Sequence, residues 1–233
     1  MTAPAGYGKT TLLAELADST PRTVWYTLSS SDHDPVVFLS HLIAGLRPFL
    51  PALAAVSTDA YHHSGRPSPA ALESLTAAIV NAVYTSGRLV HVVLDDLHLV
   101  AEERAVSRTI NWLVQHAPRQ LHFILSSRSA PRLPALPRLS AGGDVLNISD
   151  EDLRFTQDEI QLLLAAQGLD LSPQELVSVE EETEGWVLGV QLVTQYLSNG
   201  GDVEAFRAGL SQLGLGYSSN LRRRCCCASR EPA

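Results

Sequence analysis

Eight residues near the start of the chain limit what it can fold into more than any others: Ala3-Pro4-Ala5-Gly6-Tyr7-Gly8-Lys9-Thr10. Two glycines one residue apart, then Lys-Thr and an apolar helical pattern, fit the Walker A arrangement in its variant with Ala for the first Gly. The glycines let the loop turn its backbone N–H groups inward at a helix N-terminus, where an anion is favoured. On this reading Ala5, Gly6, Tyr7 and Gly8 form the cradle. Lys9 reaches the β- and γ-phosphates, the Thr10 hydroxyl ligates Mg²⁺, and Thr11 touches the α-phosphate. Lys9 is also the only lysine in the chain. A general bias toward arginine does not account for one compact ammonium persisting at this position. A glycine-rich turn before an ordinary helix gives the same short pattern, so the motif needs partners elsewhere.

Two are present. His91-Val92-Val93-Leu94-Asp95-Asp96 is an apolar strand ending in two acids, the Walker B pattern. Asp95 is the expected Mg²⁺ holder, and Asp96 the residue that orients or deprotonates an attacking water. The second partner is Ser126-Ser127-Arg128, directly after the next strand. Strands of an open parallel sheet converge on the ligand at their carboxyl ends, which aims Arg128 at the γ-phosphate. His98 and the His62-His63 pair are read as structural or solvated, and Trp25 and Trp112 as core aromatics.

Between these motifs, short β-branched runs alternate with helical patterns, the signature of βα units and a parallel sheet. The expected strands are 23–28, 89–94, 121–126 and a shorter 145–148. Helix 10–17 is expected to bury Leu12, Leu13 and Leu16. Asp34-Pro35 opens a helix carrying Phe38, Leu42 and Leu46 on one face, and Ser68-Pro69 opens another with Leu72, Leu75, Ile79 and Val83. A further helix is expected over 104–116, and residues 48–67 read as a loop. After Asp150 only helices follow, two of them announced by the capping boxes Thr156/Glu159 and Ser172/Glu175. Two more are expected at 186–197 and 203–213. This places a nucleotide-binding α/β domain at 1–150 and a partial helical lid at 151–213. Residues 214–233 read as a disordered tail.

Composition narrows the classes. With 45% hydrophobic and 18% charged residues the chain is not a disordered one. Its formal net charge of −8 disfavours direct DNA contact by this piece. No apolar run is long enough to cross a membrane and there is no export leader, so the expected place is the cytoplasm. The three cysteines, Cys225 to Cys227, are consecutive and suit neither a disulfide framework nor a zinc site.

Taken in order, these stretches resemble the STAND proteins (signal transduction ATPases with numerous domains), in the branch of MalT-like, LuxR-type transcriptional regulators. The resemblance is carried by residues 3–15, by Asp34-Pro35 with Phe38, and by Val-Leu-Asp-Asp-Leu-His-Leu at 93–99. It continues through Ser-Ser-Arg-Ser at 126–129, Asp-Leu-Arg-Phe-Thr at 152–156 and Thr-Glu-Gly-Trp-Val-Leu-Gly-Val-Gln-Leu at 183–192. It implies an ATP/ADP switch with Mg²⁺, in which ADP holds a resting form and ATP with an inducer favours self-association. It also implies slow hydrolysis as the reset, and a lid whose Gly185-Trp186 turn brings Trp186 to the nucleotide. Any turnover by this chain is expected to be slow, Mg-dependent hydrolysis of a nucleoside triphosphate.

Two departures shape the expectation. The family enters its P-loop from a β-strand, whereas Met1 and Thr2 alone precede Ala3, so a sheet lacking that strand is expected, with two inner edges unpaired. The resemblance fades after about Gly201, and the Arg-Arg-Arg-Cys-Cys-Cys run reads like a frame change, so the chain is read as truncated at both ends. The alternatives are a non-catalytic fragment that acts by associating with itself or a full-length regulator, and an ATPase of the AAA+ type.

Overall fold

The computed structural model describes residues 1–58 and 68–212. The expectations for His62, His63 and the tail 214–233 lie outside the described residues. By internal contacts the chain divides into two compact units. One is Met1 with Thr10–Asn147, and the other is Thr2–Lys9 with the chain from Ile148 onward.

The first unit is built on a parallel sheet that has three strands among the described residues. These are β1 (Thr23–Thr27), β2 (Val90–Asp95) and β3 (Leu121–Leu125), in the order β1-β2-β3. Its helices are α1 (Lys9–Ser19), α2 (Pro35–Leu46), α3 (Pro69–Ser86), α4 (Arg104–Gln115) and the short α5 (Leu136–Ala141). β2 sits between two partners and is buried at every position, as its unbroken apolar run requires. Side chains alternate across a strand, so Val90, Val92 and Leu94 enter the main core with Phe38, Leu42, Ile79 and Ile110, while His91, Val93 and Asp95 share the opposite face.

Local chemistry sets the helix starts. The Asp34 carboxylate accepts the Val36 N–H and Pro35 occupies the first turn of α2, while the Ser68 hydroxyl accepts the Ala71 N–H ahead of Pro69. All three residues predicted to stripe α2 are buried; on α3, Leu75, Ile79 and Val83 are buried and Leu72 is partly so. α2 lies close on β1: a Cβ on Gly45 would stand 2.7 Å from Val24 Cγ1. Beyond β1 the chain is fixed by Asp32, whose carboxylate accepts from the Tyr26 hydroxyl and from both the N–H and the hydroxyl of Ser29. Burial alone would raise that carboxyl, but these bonds outweigh it and hold Asp32 below the usual carboxylate range.

Five expectations are corrected. Of the three leucines of α1 only Leu13 is buried, whereas Leu12 and Leu16 are 42% and 37% exposed. Leu12 and Leu16 are one turn apart on a common stripe, and Leu13 lies about 60–100° round the helix from them, on the side that packs. Residues 145–148 form no strand. A strand needs a ladder of bonds, and among the described residues this segment accepts a single backbone bond, Thr2 N–H to Ile148 O at 2.8 Å. Part of the loop at 48–67 is a 3₁₀ turn, Pro51–Ala55, that buries Leu53. Trp25 is only partly buried and is not among the residues packed on the main core, whereas Trp112, also partly buried, does pack against it and stacks on His116 with ring centres 4.1 Å apart. The outer edge of β3 is not bare throughout: the Met1 amino group donates to Leu125 O at 2.8 Å and Ser127 N–H to Met1 O at 3.1 Å.

The second unit is helical: α6 (Gln157–Ala166), α7 (Pro173–Thr183), α8 (Val187–Ser198) and α9 (Val203–Gln212). Both predicted capping boxes form, with Thr156 and Ser172 bonded reciprocally to Glu159 and Glu175. Ile160, Leu164, Leu176, Val179, Val190 and Val193 make its core.

Candidate nucleotide-binding site

At the carboxyl end of β2 the two acids are held differently. Asp95 is 2% exposed, and both of its oxygens are engaged. Oδ2 accepts the Thr10 hydroxyl at 3.0 Å, and Oδ1 accepts the Asp96 N–H at 2.9 Å. Thr10 and Asp95 are 85 residues apart in sequence, so this bond joins the predicted glycine loop's threonine to the strand acid. Asp96 sits in the left-handed region with φ 56° and ψ 36°, a conformation Asp tolerates better than most residues. Its carboxylate is partly exposed and faces His98, whose Nδ1 lies 3.7 Å from Asp96 Oδ1. Sequence reasoning set His98 aside. Its spacing from Asp96 carried no signal, because a 3₁₀ turn from Leu97 to Val100 is what brings the two together.

That turn is tied to the next strand by the Leu97 N–H donating to Ser126 O at 2.9 Å. Ser126 and Ser127 are buried, and the Ser126 hydroxyl has no hydrogen-bond partner among the described residues. A buried hydroxyl without a partner normally marks a cost or a function, and the sequence reading gave Ser126 no role of its own. Arg128 follows them and is exposed, with no ion pair among the described residues.

The glycine loop belongs to the helical unit. Gly6 and Gly8 have φ of 80° and 74°, so the loop takes the left-handed turns for which glycine is suited. Lys9 is buried and its ammonium donates to Ala3 O at 2.7 Å and Pro4 O at 2.8 Å. Tyr7 and Ala3 pack with Trp186, Leu153 and Leu188 in a small apolar cluster. The Trp186 indole N–H donates to Ala5 O at 3.1 Å, and the Leu188 N–H donates to Gly6 O at 2.9 Å. Trp186 is the N-cap residue of α8 and is 2% exposed. Thr11 is exposed on the first turn of α1.

A parallel sheet whose inner strand ends in paired acids, with a glycine loop opening a helix at Lys-Thr, defines a protein of the P-loop NTPase class. Within that class the chain's relatives include MalT-like regulators, and its fold neighbours are Walker-type and STAND ATPases. The chain is 31% identical over 214 residues to the serine/threonine-protein kinase PknK of Mycobacterium tuberculosis, a match that takes in 90% of this chain and 19% of that protein. It is 30% identical to the HTH-type transcriptional regulator MalT of Serratia proteamaculans over 82% of this chain and 21% of that protein. The chain thus spans about a fifth of the length of these curated relatives. No protein-family model matches it. Among solved structures the fold is similar to the Walker-type ATPase of Pyrococcus abyssi, with a TM-score of 0.54, 15% identity, and coverage of 96% of this chain and 70% of that one. It is also similar to a STAND protein with a tetratricopeptide repeat sensor from Pyrococcus horikoshii, with a TM-score of 0.56, 17% identity, and coverage of 83% of this chain and 26% of that one.

Proposed function

We propose that this chain is the Mg-ATP/ADP-binding switch module of a MalT-like, LuxR-family transcriptional regulator, with at most slow ATP hydrolysis. The observation that carries the reading is the Thr10–Asp95 bond. A hydroxyl and a carboxylate held 3.0 Å apart at the carboxyl end of a parallel strand are hard oxygen donors of the kind Mg²⁺ takes. The left-handed Gly6 and Gly8 fit a loop that approaches phosphate with its backbone.

In this reading Ala5, Gly6, Tyr7 and Gly8 receive the phosphates through backbone N–H groups, and Thr11 adds a contact at the α-phosphate. Lys9 supplies a positive charge for the β- and γ-phosphates, exchanging its present carbonyl partners for phosphate oxygens. Thr10 and Asp95 would hold Mg²⁺, which supplies charge neutralisation across the β- and γ-phosphates. Asp96 has one carboxylate oxygen near His98 and orients an attacking water with its other. Arg128, exposed after β3, reads the γ-phosphate. MalT and the Pyrococcus horikoshii STAND protein carry further regions beyond the matched length, and the present chain would act as the nucleotide-dependent part of such a protein. Its partners would then be nucleotide and further copies of itself or of a full-length regulator, without direct DNA contact. No helix among the described residues is long and apolar enough to cross a membrane.

Isothermal titration of Mg-ADP and Mg-ATP into the chain and into Lys9→Ala tests the proposal. Saturable binding by the parent that is lost in Lys9→Ala is the expected result. A folded parent that takes up neither nucleotide overturns it.

A further inference from the structure

Four consecutive carbonyls of the glycine loop, from Ala3 to Gly6, are hydrogen-bond acceptors. Lys9 donates to the first two, Trp186 to Ala5 O and Leu188 to Gly6 O. In a trans peptide the C=O of one residue and the N–H of the next point in opposite directions, and no cis peptide occurs among the described residues. Fixing Ala5 O toward the Trp186 indole therefore turns the Gly6 N–H away from it. Fixing Gly6 O toward the first turn of α8 likewise turns the Tyr7 N–H away from that turn. Among the described residues the Gly6 N–H has no hydrogen-bond partner.

The fit around these bonds is close. A Cβ on Gly6 would stand 2.8 Å from both Trp186 Nε1 and Leu188 Cβ, so glycine is required there for the approach of the helix as well as for its φ of 80°. Trp186 is buried among Ala3, Tyr7, Leu153 and Leu188, and its one polar atom is committed to the loop.

We infer that Trp186 is a positioning residue: it acts on phosphate through the Ala5 carbonyl, by presetting the direction of the Gly6 and Tyr7 N–H groups, and makes no direct nucleotide contact with its indole N–H. This rests on the nucleotide reading above and gives Trp186 a different task from the one the family resemblance implies. A loop whose donors are already aligned loses less freedom when an anion docks, and that difference appears as affinity.

Trp186→Phe removes the N–H donor and leaves a smaller aromatic ring in the buried site. Hydrogen–deuterium exchange of the nucleotide-free full chain should quicken in the segment 3–9 and stay at parental rates in α6, α7 and α8. Mg-ADP affinity, measured alongside, should fall about ten-fold, the equivalent of one net hydrogen bond. Unchanged exchange in 3–9 overturns the inference. So does a general acceleration through α6 to α8, which marks a merely structural residue. Faster loop exchange with undiminished ADP affinity in a parent that binds overturns it as well. Failure of the parent to bind ADP counts against the nucleotide reading alone, because the exchange comparison needs no ligand.

Discussion

His91 and Asp95 occupy the same face of β2, separated by Val93 and by about 13 Å of strand. Both are polar and nearly buried, yet their surroundings are opposite. At the carboxyl end, Asp95 has both oxygens bonded, one to a hydroxyl that arrives from the start of the chain. At the amino end, His91 bonds to the Pro21 main chain, but its buried Nδ1 has no partner among the described residues, and another imidazole, His122, lies on the paired strand with ring centres 5.3 Å apart. Burial pulls the His91 pKa below the usual imidazole value, and His122 adds to that shift. The contrast teaches that burial of a polar group on a central strand says little by itself. The partners supplied from other elements decide whether it serves chemistry or only costs stability.

The largest expected effect lies at the acid end. Asp95→Asn should weaken Mg-ATP binding about 100-fold by titration while changing the thermal midpoint little. A variant that melts early and binds normally would break the contrast, since Asp95 would then serve the fold and not the ligand. At the other end, His91→Leu removes the unsatisfied nitrogen at similar volume and should stabilise the chain by about 1 kcal/mol in urea denaturation, with nucleotide affinity intact. A loss of affinity would mean that both ends of β2 serve the ligand.

The smallest effect is one of pH. The folded-state pKa of His91 is depressed, so between that value and about 6.5 the unfolded chain binds more protons than the folded one. Stability should therefore fall as pH drops from 7 through this window and level off below it. Urea midpoints at pH 7.5 and 5.5 should show a drop in the parent that is smaller in His91→Leu; equal drops would assign the effect to other groups.

Much of the fold was legible because its signals are local. Asp34-Pro35, Ser68-Pro69 and the two capping boxes mark their helices with residues that bond within three positions. The run at 90–95 announces a strand buried on both faces. What failed depended on distant partners. Val145 to Ile148 has strand composition but acquires only one backbone bond, and Leu12 and Leu16 have core composition but no face to enter. The two motifs singled out Thr10 and Asp95 separately, and their bond to each other lies outside any spacing rule, as does the approach of His98 to Asp96 through a left-handed turn. Trp186 was singled out for the family motif around it; the bond from its indole to Ala5 O could not be read from a separation of 181 residues.

Lys9 has a consequence outside binding and folding. A chain with a single lysine offers amine-reactive reagents two targets, Lys9 and the α-amino group. Both amines are already engaged by main-chain oxygens, Lys9 with Ala3 and Pro4, and Met1 with Leu125. Acylation at Lys9, told apart from the α-amino group by peptide mapping, would thus serve as a footprint of the glycine loop. Every modified molecule carrying a blocked Lys9 would report that the loop had opened long enough to release it.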